Sequence, residues 1–108
     1  MDNIENSVDL ERTMQIIIQA GDARKIVIQA LDLIGDAKYD EARLVLNTAH
    51  QKLLVAHGLQ TEKIQQEAQG QKLSYSVLFT HAQDTMMSVD TEFNLVKHLI
   101  DIFQKRIN

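Results

Sequence analysis

Apolar residues recur at alternating intervals of four and three along the C-terminal third of the chain. They occupy positions 75, 79, 82, 86, 89, 93, 96, 100, 103 and 107. This heptad spacing is typical of a helix that packs lengthwise on other helices. At about 100° per residue, a second stripe lies well apart from the first. It begins with polar residues and becomes apolar further along, at His81, Asp84, Ser88, Thr91, Leu95 and Ile102.

A long helix is also predicted near the N-terminus. Between Val8 and Ile34 the apolar residues return every three or four positions, and the lack of turn residues favours a helix over a strand. Clusters such as Ile16–Ile18 spread the apolar surface over a wide arc, which indicates burial on more than one side. Gly21 is the exception inside this helix, where glycine costs about 1 kcal/mol relative to alanine. Either it is a tolerated defect or kink, or another backbone or a bound group comes close.

Glycine residues divide the chain into three helical segments. Gly35 suits the left-handed position after the first helix, and Asp36 suits the N-cap of the second. The second helix is predicted from about residue 39 to 69 and is ended by Gly70. Ser74 or Ser76 is predicted to cap the third helix.

The predicted fold is an all-α, antiparallel, up-down-up three-helix bundle, with residues 1–108 as a single domain. The first helix is apolar over a wider arc than a lone three-helix bundle needs. The third helix also carries a second face that becomes apolar. Both features favour a homo-oligomer.

Composition and charge exclude several classes of function. The chain is 44% apolar, has no proline and has no cysteine, which favours long helices and excludes a disulfide scaffold, a thiolate zinc site and thiol catalysis. A net charge of −4 without a basic block argues against nucleic-acid binding. The acidic N-terminus is unlike a signal peptide, and no apolar run approaches the roughly 20 residues that cross a bilayer. A soluble, cytoplasmic protein without membrane insertion is expected.

Histidines are the main candidates for chemistry, because an imidazole can form a covalent intermediate or transfer protons near neutral pH. His81 has Asp84 at i+3 and Thr85 at i+4, a spacing at which a carboxylate or hydroxyl can orient the ring. His50 is predicted to lie on the solvated side of the second helix. His98 follows too far along the third helix to share a ligand with His81 in one chain.

His57 precedes Gln60 and Thr61 at i+3 and i+4, which places a polar cluster on one face of the second helix. Spacing alone leaves the function open. One alternative is a non-catalytic helical interaction module, in which the histidines only pack. Another is a metal-dependent enzyme that uses His57, His81 and Asp84.

Three blocks of sequence resemble those of one family. They are Ala20-Gly21-Asp22-Ala23-Arg24, Ala56-His57-x-x-Gln60-Thr61, and Tyr75-Ser76-Val77 followed by His81-Ala82-Gln83-Asp84-x-Met86-Met87. In order and in spacing, from about Val8 to Arg106, the chain is similar to the lactose/cellobiose-type enzyme IIA of the bacterial phosphoenolpyruvate-dependent sugar phosphotransferase system.

The resemblance implies a phosphotransferase component that acts through a phosphohistidine. Such a protein is a trimer of three-helix subunits, a nine-helix assembly. It takes a phosphoryl group from the phosphocarrier HPr and passes it to a cysteine of the IIB component, for uptake of a β-linked disaccharide or β-glucoside. His81 corresponds to the accepting histidine, and Gln83 belongs to the same motif. Gln83 and His57 are expected to support it.

Asp84 corresponds to the aspartate that, one from each subunit, surrounds a metal ion on the trimer axis. Three converging carboxylates repel one another unless they are protonated or bridged by a hard cation, and Mg²⁺ is the expected ion. The family usually continues with His-Leu-Met after this aspartate, whereas the present chain has Thr85-Met86-Met87 and lacks that second histidine.

Overall fold

Three long helices follow one another along the chain. The computed structural model describes residues 7–70 and 76–107, and these contain α1 (Ser7–Gly35), α2 (Tyr39–Ala68) and α3 (Val77–Ile107). No strand occurs within the two described ranges. Cross-helix ion pairs and hydrogen bonds record an antiparallel order, because early residues of one helix meet late residues of the next. The all-α, up-down-up prediction is therefore confirmed.

The core runs along the bundle where the apolar stripe of α3 meets the other two helices. Of the ten predicted stripe positions, Ala82, Met86, Val89, Val96 and Ile100 are buried. Phe79 and Phe93 pack against them while partly exposed. Phe103 remains 44% exposed because it lies at the end of the bundle, beside the first turns of α2. Tyr75 and the side chain of Ile107 fall outside the described residues.

The wide apolar arc of α1 is only partly covered within one chain. Ile16 is buried, Ile17 is half-buried, and Ile18 is exposed. The helices of one chain therefore do not bury α1 on more than one side, although the sequence predicted such burial. Further apolar side chains of α1 also face outward, namely Val8, Leu10, Met14, Ile28 and Leu31. Gly21 sits in continuous helix, and apart from its chain neighbours and the surrounding turns of its own helix backbone, no described atom lies within 4 Å of the position a Cβ would take.

The turn between α1 and α2 differs from the prediction in the residue that takes the left-handed conformation. The amide of Lys38 donates to the carbonyl of Leu33 at 2.8 Å, and the amide of Ala37 donates to that of Ile34 at 2.9 Å. This pair of hydrogen bonds is a Schellman motif, with Ala37 at the left-handed position and φ of 59°. Gly35, which was expected there, is still part of the helix.

Helix α2 begins at Tyr39, as predicted, but its N-cap is not the residue that was expected. Its N-cap is Lys38, which makes no side-chain capping hydrogen bond, so the expectation of an Asp36 cap was wrong. The hydrogen bonds that close the Schellman turn carry the chain two residues past Gly35 before the new helix can begin. Acidic residues Asp40 and Glu41 in the first turn still favour the positive end of the helix dipole.

The other helix ends follow the sequence closely. Gly70 comes after α2 with φ of 86°, and its amide donates to the carbonyl of Glu67. Ser76 caps α3, because its Oγ accepts a hydrogen bond from the amide of Phe79 at 3.0 Å. Ser74, the alternative cap, lies outside the described residues. Near this end of the bundle Lys63 is a buried residue, and its ammonium lies 4.7 Å from the centre of the Phe79 ring, a cation–π contact.

Candidate functional site

His81 lies in the second turn of α3 and is exposed. Its imidazole makes no hydrogen bond or ion pair with the described part of the chain, while its backbone carbonyl accepts a hydrogen bond from Thr85 Oγ1 at 2.9 Å. The Ser76 cap fixes where the helix begins and therefore which way His81 points. Backbone amides at this end carry the positive pole of the helix, which favours a nearby anionic group.

Asp84 is exposed one turn further along the same face of α3. No hydrogen bond or ion pair from the described residues reaches its carboxylate. Within residues 7–70 and 76–107 no three histidine, aspartate or glutamate side chains come close enough to hold a metal ion. A single chain therefore contributes one carboxylate and no complete site.

His57 is paired with a residue that sequence analysis did not identify. Its Nε2 lies 2.6 Å from Oδ2 of Asp90, a hydrogen bond that joins α2 to α3. Asp90 follows His81 by nine positions, which is half a turn around α3 and about 13 Å along it. The two residues of the pair are 33 positions apart, so no local spacing signals their contact.

The predicted supporting residues do not gather around His81 within one chain. His57 is held against Asp90 on another side of α3. Gln83 follows His81 by two residues, about 200° around the helix, and is half-buried. The alternative of a metal-dependent enzyme that combines His57, His81 and Asp84 in one chain therefore has no support from the geometry.

The remaining two histidines, His50 and His98, are exposed, and for His50 this confirms the prediction. His50 stacks on Phe93, with ring centres 5.6 Å apart and planes inclined by 24°. It lines an open groove of about 260 Å³ between α2 and α3, together with Arg43 and Lys97. His98 lies on the opposite, outward side of α3, away from this groove.

The second stripe of α3 is exposed along its length. Its apolar members are exposed like its polar ones, with Leu95 60% and Ile102 51% exposed. Beside it, Ile28 and Leu31 of α1 line an apolar groove of about 350 Å³ with Leu95. A contiguous apolar surface of this kind on a small protein is typical of protein interaction sites and ligand-binding grooves.

One ion pair closes the edge of this groove. Arg24 donates from Nε and Nη2 to the two carboxylate oxygens of Glu92, at 3.0 and 3.1 Å. Arg24 belongs to the Ala20–Arg24 block, so the arginine of that block joins α1 to α3.

Within the described residues, none of the three helices has the continuous apolar length that crossing a bilayer requires.

Comparison with known proteins gives a consistent result. The profile of the family described as "PTS system, Lactose/Cellobiose specific IIA subunit" matches residues 11–104. The oligo-beta-mannoside-specific EIIA component of Bacillus subtilis is 35% identical over 103 residues, which are 95% of this chain and 94% of that protein.

Two solved structures have the same fold. The cellobiose-specific enzyme IIA of Bacillus anthracis is 35% identical with a TM-score of 0.86, over 96% of this chain and 95% of that one. The chitobiose IIA of Escherichia coli, solved in complex with HPr, is 27% identical with a TM-score of 0.80, over 93% and 97% of the two chains.

Proposed function

Because the chain belongs to the lactose/cellobiose-specific IIA family of the phosphotransferase system, we propose that it is a phosphoryl carrier whose accepting residue is His81. The observation that carries this proposal is the exposed, unpartnered imidazole in the second turn of α3. A phosphoryl donor that is itself a protein can reach only a side chain at the surface. His57 is less suited, because its Nε2 is already engaged by Asp90 at 2.6 Å.

The reaction needs little more than this side chain and a correctly placed donor. A neutral imidazole nitrogen of His81 attacks phosphorus with its lone pair, a new N–P bond forms, and the bond from phosphorus to the donor breaks. The second step reverses these roles, with the acceptor thiolate attacking and the imidazole leaving. The amides at the start of α3 stabilise the negative phosphoryl group between the two steps.

HPr is the proposed donor, and a cysteine of the IIB component is the proposed acceptor. The similar chitobiose IIA of E. coli was solved as a complex with HPr, which supports the first of these partners. The second follows from the family's place in the transfer chain. Relatives named as oligo-beta-mannoside-specific and cellobiose-specific support a β-linked disaccharide or β-glucoside as the transported sugar.

We also propose that three chains form a trimer in which the three Asp84 side chains hold Mg²⁺. The residues present fit this ion, because Asp84 offers an exposed, unpartnered, hard anionic ligand on a stripe that becomes apolar at Leu95 and Ile102. Bound there, Mg²⁺ would neutralise the mutual repulsion of the carboxylates and so stabilise the assembly. The phosphoryl transfer itself is carried by His81.

Intact mass measurement tests the assignment. After incubation with phosphoenolpyruvate, enzyme I and HPr, the wild-type protein should gain one acid-labile phosphoryl group per chain. His81→Ala should gain none while keeping its helicity, because the side chain is exposed and contributes nothing to the core. His50→Ala, which removes another exposed histidine, is the matched control and should still be phosphorylated. Uptake by His81→Ala would reject the assignment.

A further inference from the structure

The exposed second stripe of α3 has two further members, Val77 before His81 and His98 between Leu95 and Ile102. Positions 77, 81, 84, 88, 91, 95, 98 and 102 alternate by four and three without a break, and all eight are exposed in the single chain. An unbroken heptad seam of this kind is what a helix presents to parallel copies of itself. In the proposed trimer the three α3 seams therefore face a common axis from Asp84 onward. Val77 and His81 lie at the open N-terminal end of the seam, where a donor protein can still reach the imidazole.

His98 occupies the same seam position as Asp84, two heptads further along. The 14 residues between them correspond to about 21 Å along the axis. On the basis of the proposed trimer, we infer that three His98 side chains converge there and form a second axial metal site. This site is separate from the carboxylate site and lies far from His81.

The donor atoms decide which ion such a site would take. Three imidazole nitrogens suit borderline transition metals such as Zn²⁺, Co²⁺ and Ni²⁺, whereas Mg²⁺ prefers oxygen ligands. Three protein ligands with a water molecule in the fourth position complete a tetrahedral Zn²⁺ or Co²⁺ centre. The two axial sites of the trimer would therefore differ in the class of cation that they select.

The surroundings of His98 favour occupancy of this site. No hydrogen bond or ion pair from the described residues engages its imidazole. Leu95 and Ile102, its neighbours along the seam, are 60% and 51% exposed in the single chain and would close apolar layers on either side in the trimer. The nearby carboxylate of Asp101 is drawn away by Arg43, at 3.0 Å. Buried imidazoles in such layers need a partner for their polar nitrogens, and a shared cation supplies it.

Cobalt binding to the untagged full-length chain tests the inference. Titration of the wild-type trimer with Co²⁺ should produce the visible bands of a tetrahedral nitrogen-ligated centre and saturate at one ion per three chains. His98→Leu should lose these bands yet remain a trimer, because leucine fits an apolar seam. Asp84→Asn and the matched surface control His50→Leu should retain them. Light scattering on each variant records the assembly alongside the spectra.

Three outcomes would contradict the His98 metal site. Bands that persist in His98→Leu, saturation at one ion per chain, or a monomeric His98→Leu protein would overturn it. Phosphoryl uptake by the wild-type protein tests the proposed function separately. Uptake without His98-dependent cobalt bands rejects the metal site alone, whereas the bands without uptake reject the carrier function alone.

Discussion

Ala37 has a positive φ of 59°, and it alone does so among the non-glycine residues that the structure describes. A left-handed backbone costs an L-residue about 1–2 kcal/mol, and glycine avoids this cost. Ala37→Gly should therefore increase the free energy of unfolding by about 1 kcal/mol. This gain is reduced by the larger conformational entropy that glycine gives the unfolded chain. Urea denaturation of the two proteins, compared at the same chain concentration, measures the difference.

Gly35 provides the matched test of the same turn. It lies in the last turn of α1, and apart from its chain neighbours and the adjacent helix backbone, no described atom comes within 4 Å of the position a Cβ would take. Gly35→Ala should thus stabilise the protein by about 0.5–1 kcal/mol, because alanine is the better helix former. If Gly35 held the left-handed position that the sequence suggests, the same change would destabilise it. The sign of the effect identifies which residue ends α1.

At the scale of the helices, periodicity predicted more than individual residues did. The alternation of four and three placed the buried face of α3 correctly from Phe79 to Ile100, because each turn of a helix repeats the same geometric demand. The left-handed residue after α1 was misplaced by two positions, at Gly35 instead of Ala37, because a Schellman turn accepts alanine when its hydrogen bonds offset the cost. Glycine is a preference at that position and not a requirement.

Part of the candidate site could be predicted from residue spacing, and part depends on how the helices pack. His81 and Asp84 share a helix face, so their spacing alone places them on one stripe. The partner of His57 could not be predicted, because Asp90 comes from another helix and is brought to it by the packing of α2 against α3. The sequence predicted the broad apolar arc of α1, but it could not show which surface covers that arc. The described part of a single chain leaves Ile18 and Ile28 exposed.

Assembly is a property of the whole molecule, and Leu95 tests it directly. This side chain is 60% exposed in one chain but lies on the α3 seam beside the α1–α3 groove. Leu95→Glu would place three carboxylates in the proposed interface and should convert the trimer to monomers that retain helical circular dichroism. Leu44→Glu changes an exposed leucine on α2, away from the seam, and should leave the assembly intact. Light scattering distinguishes these results, and a Leu95→Glu trimer would place the interface elsewhere.

Asp84 links the assembly to its proposed ion. Mg²⁺ that binds only the trimer stabilises it by mass action, by about 2.7 kcal/mol when its concentration is a hundredfold above the dissociation constant. The wild-type protein should therefore melt at a higher temperature in Mg²⁺ than with a chelator. Asp84→Asn removes both the hard ligand and the repulsion between carboxylates. It should assemble, melt at one temperature in both conditions, and melt above the wild-type protein in chelator.

A matched control separates the axial site from general effects of charge. Asp32→Asn removes an exposed carboxylate of α1 and should keep the wild-type response to Mg²⁺. If Asp84 were only a solvated helix residue, its substitution would change stability by less than about 0.5 kcal/mol and leave any Mg²⁺ response unaltered. Equal melting temperatures of the wild-type protein with Mg²⁺ and with chelator would reject the axial magnesium. That result would leave the phosphoryl-transfer role of His81 to be judged by its own experiment.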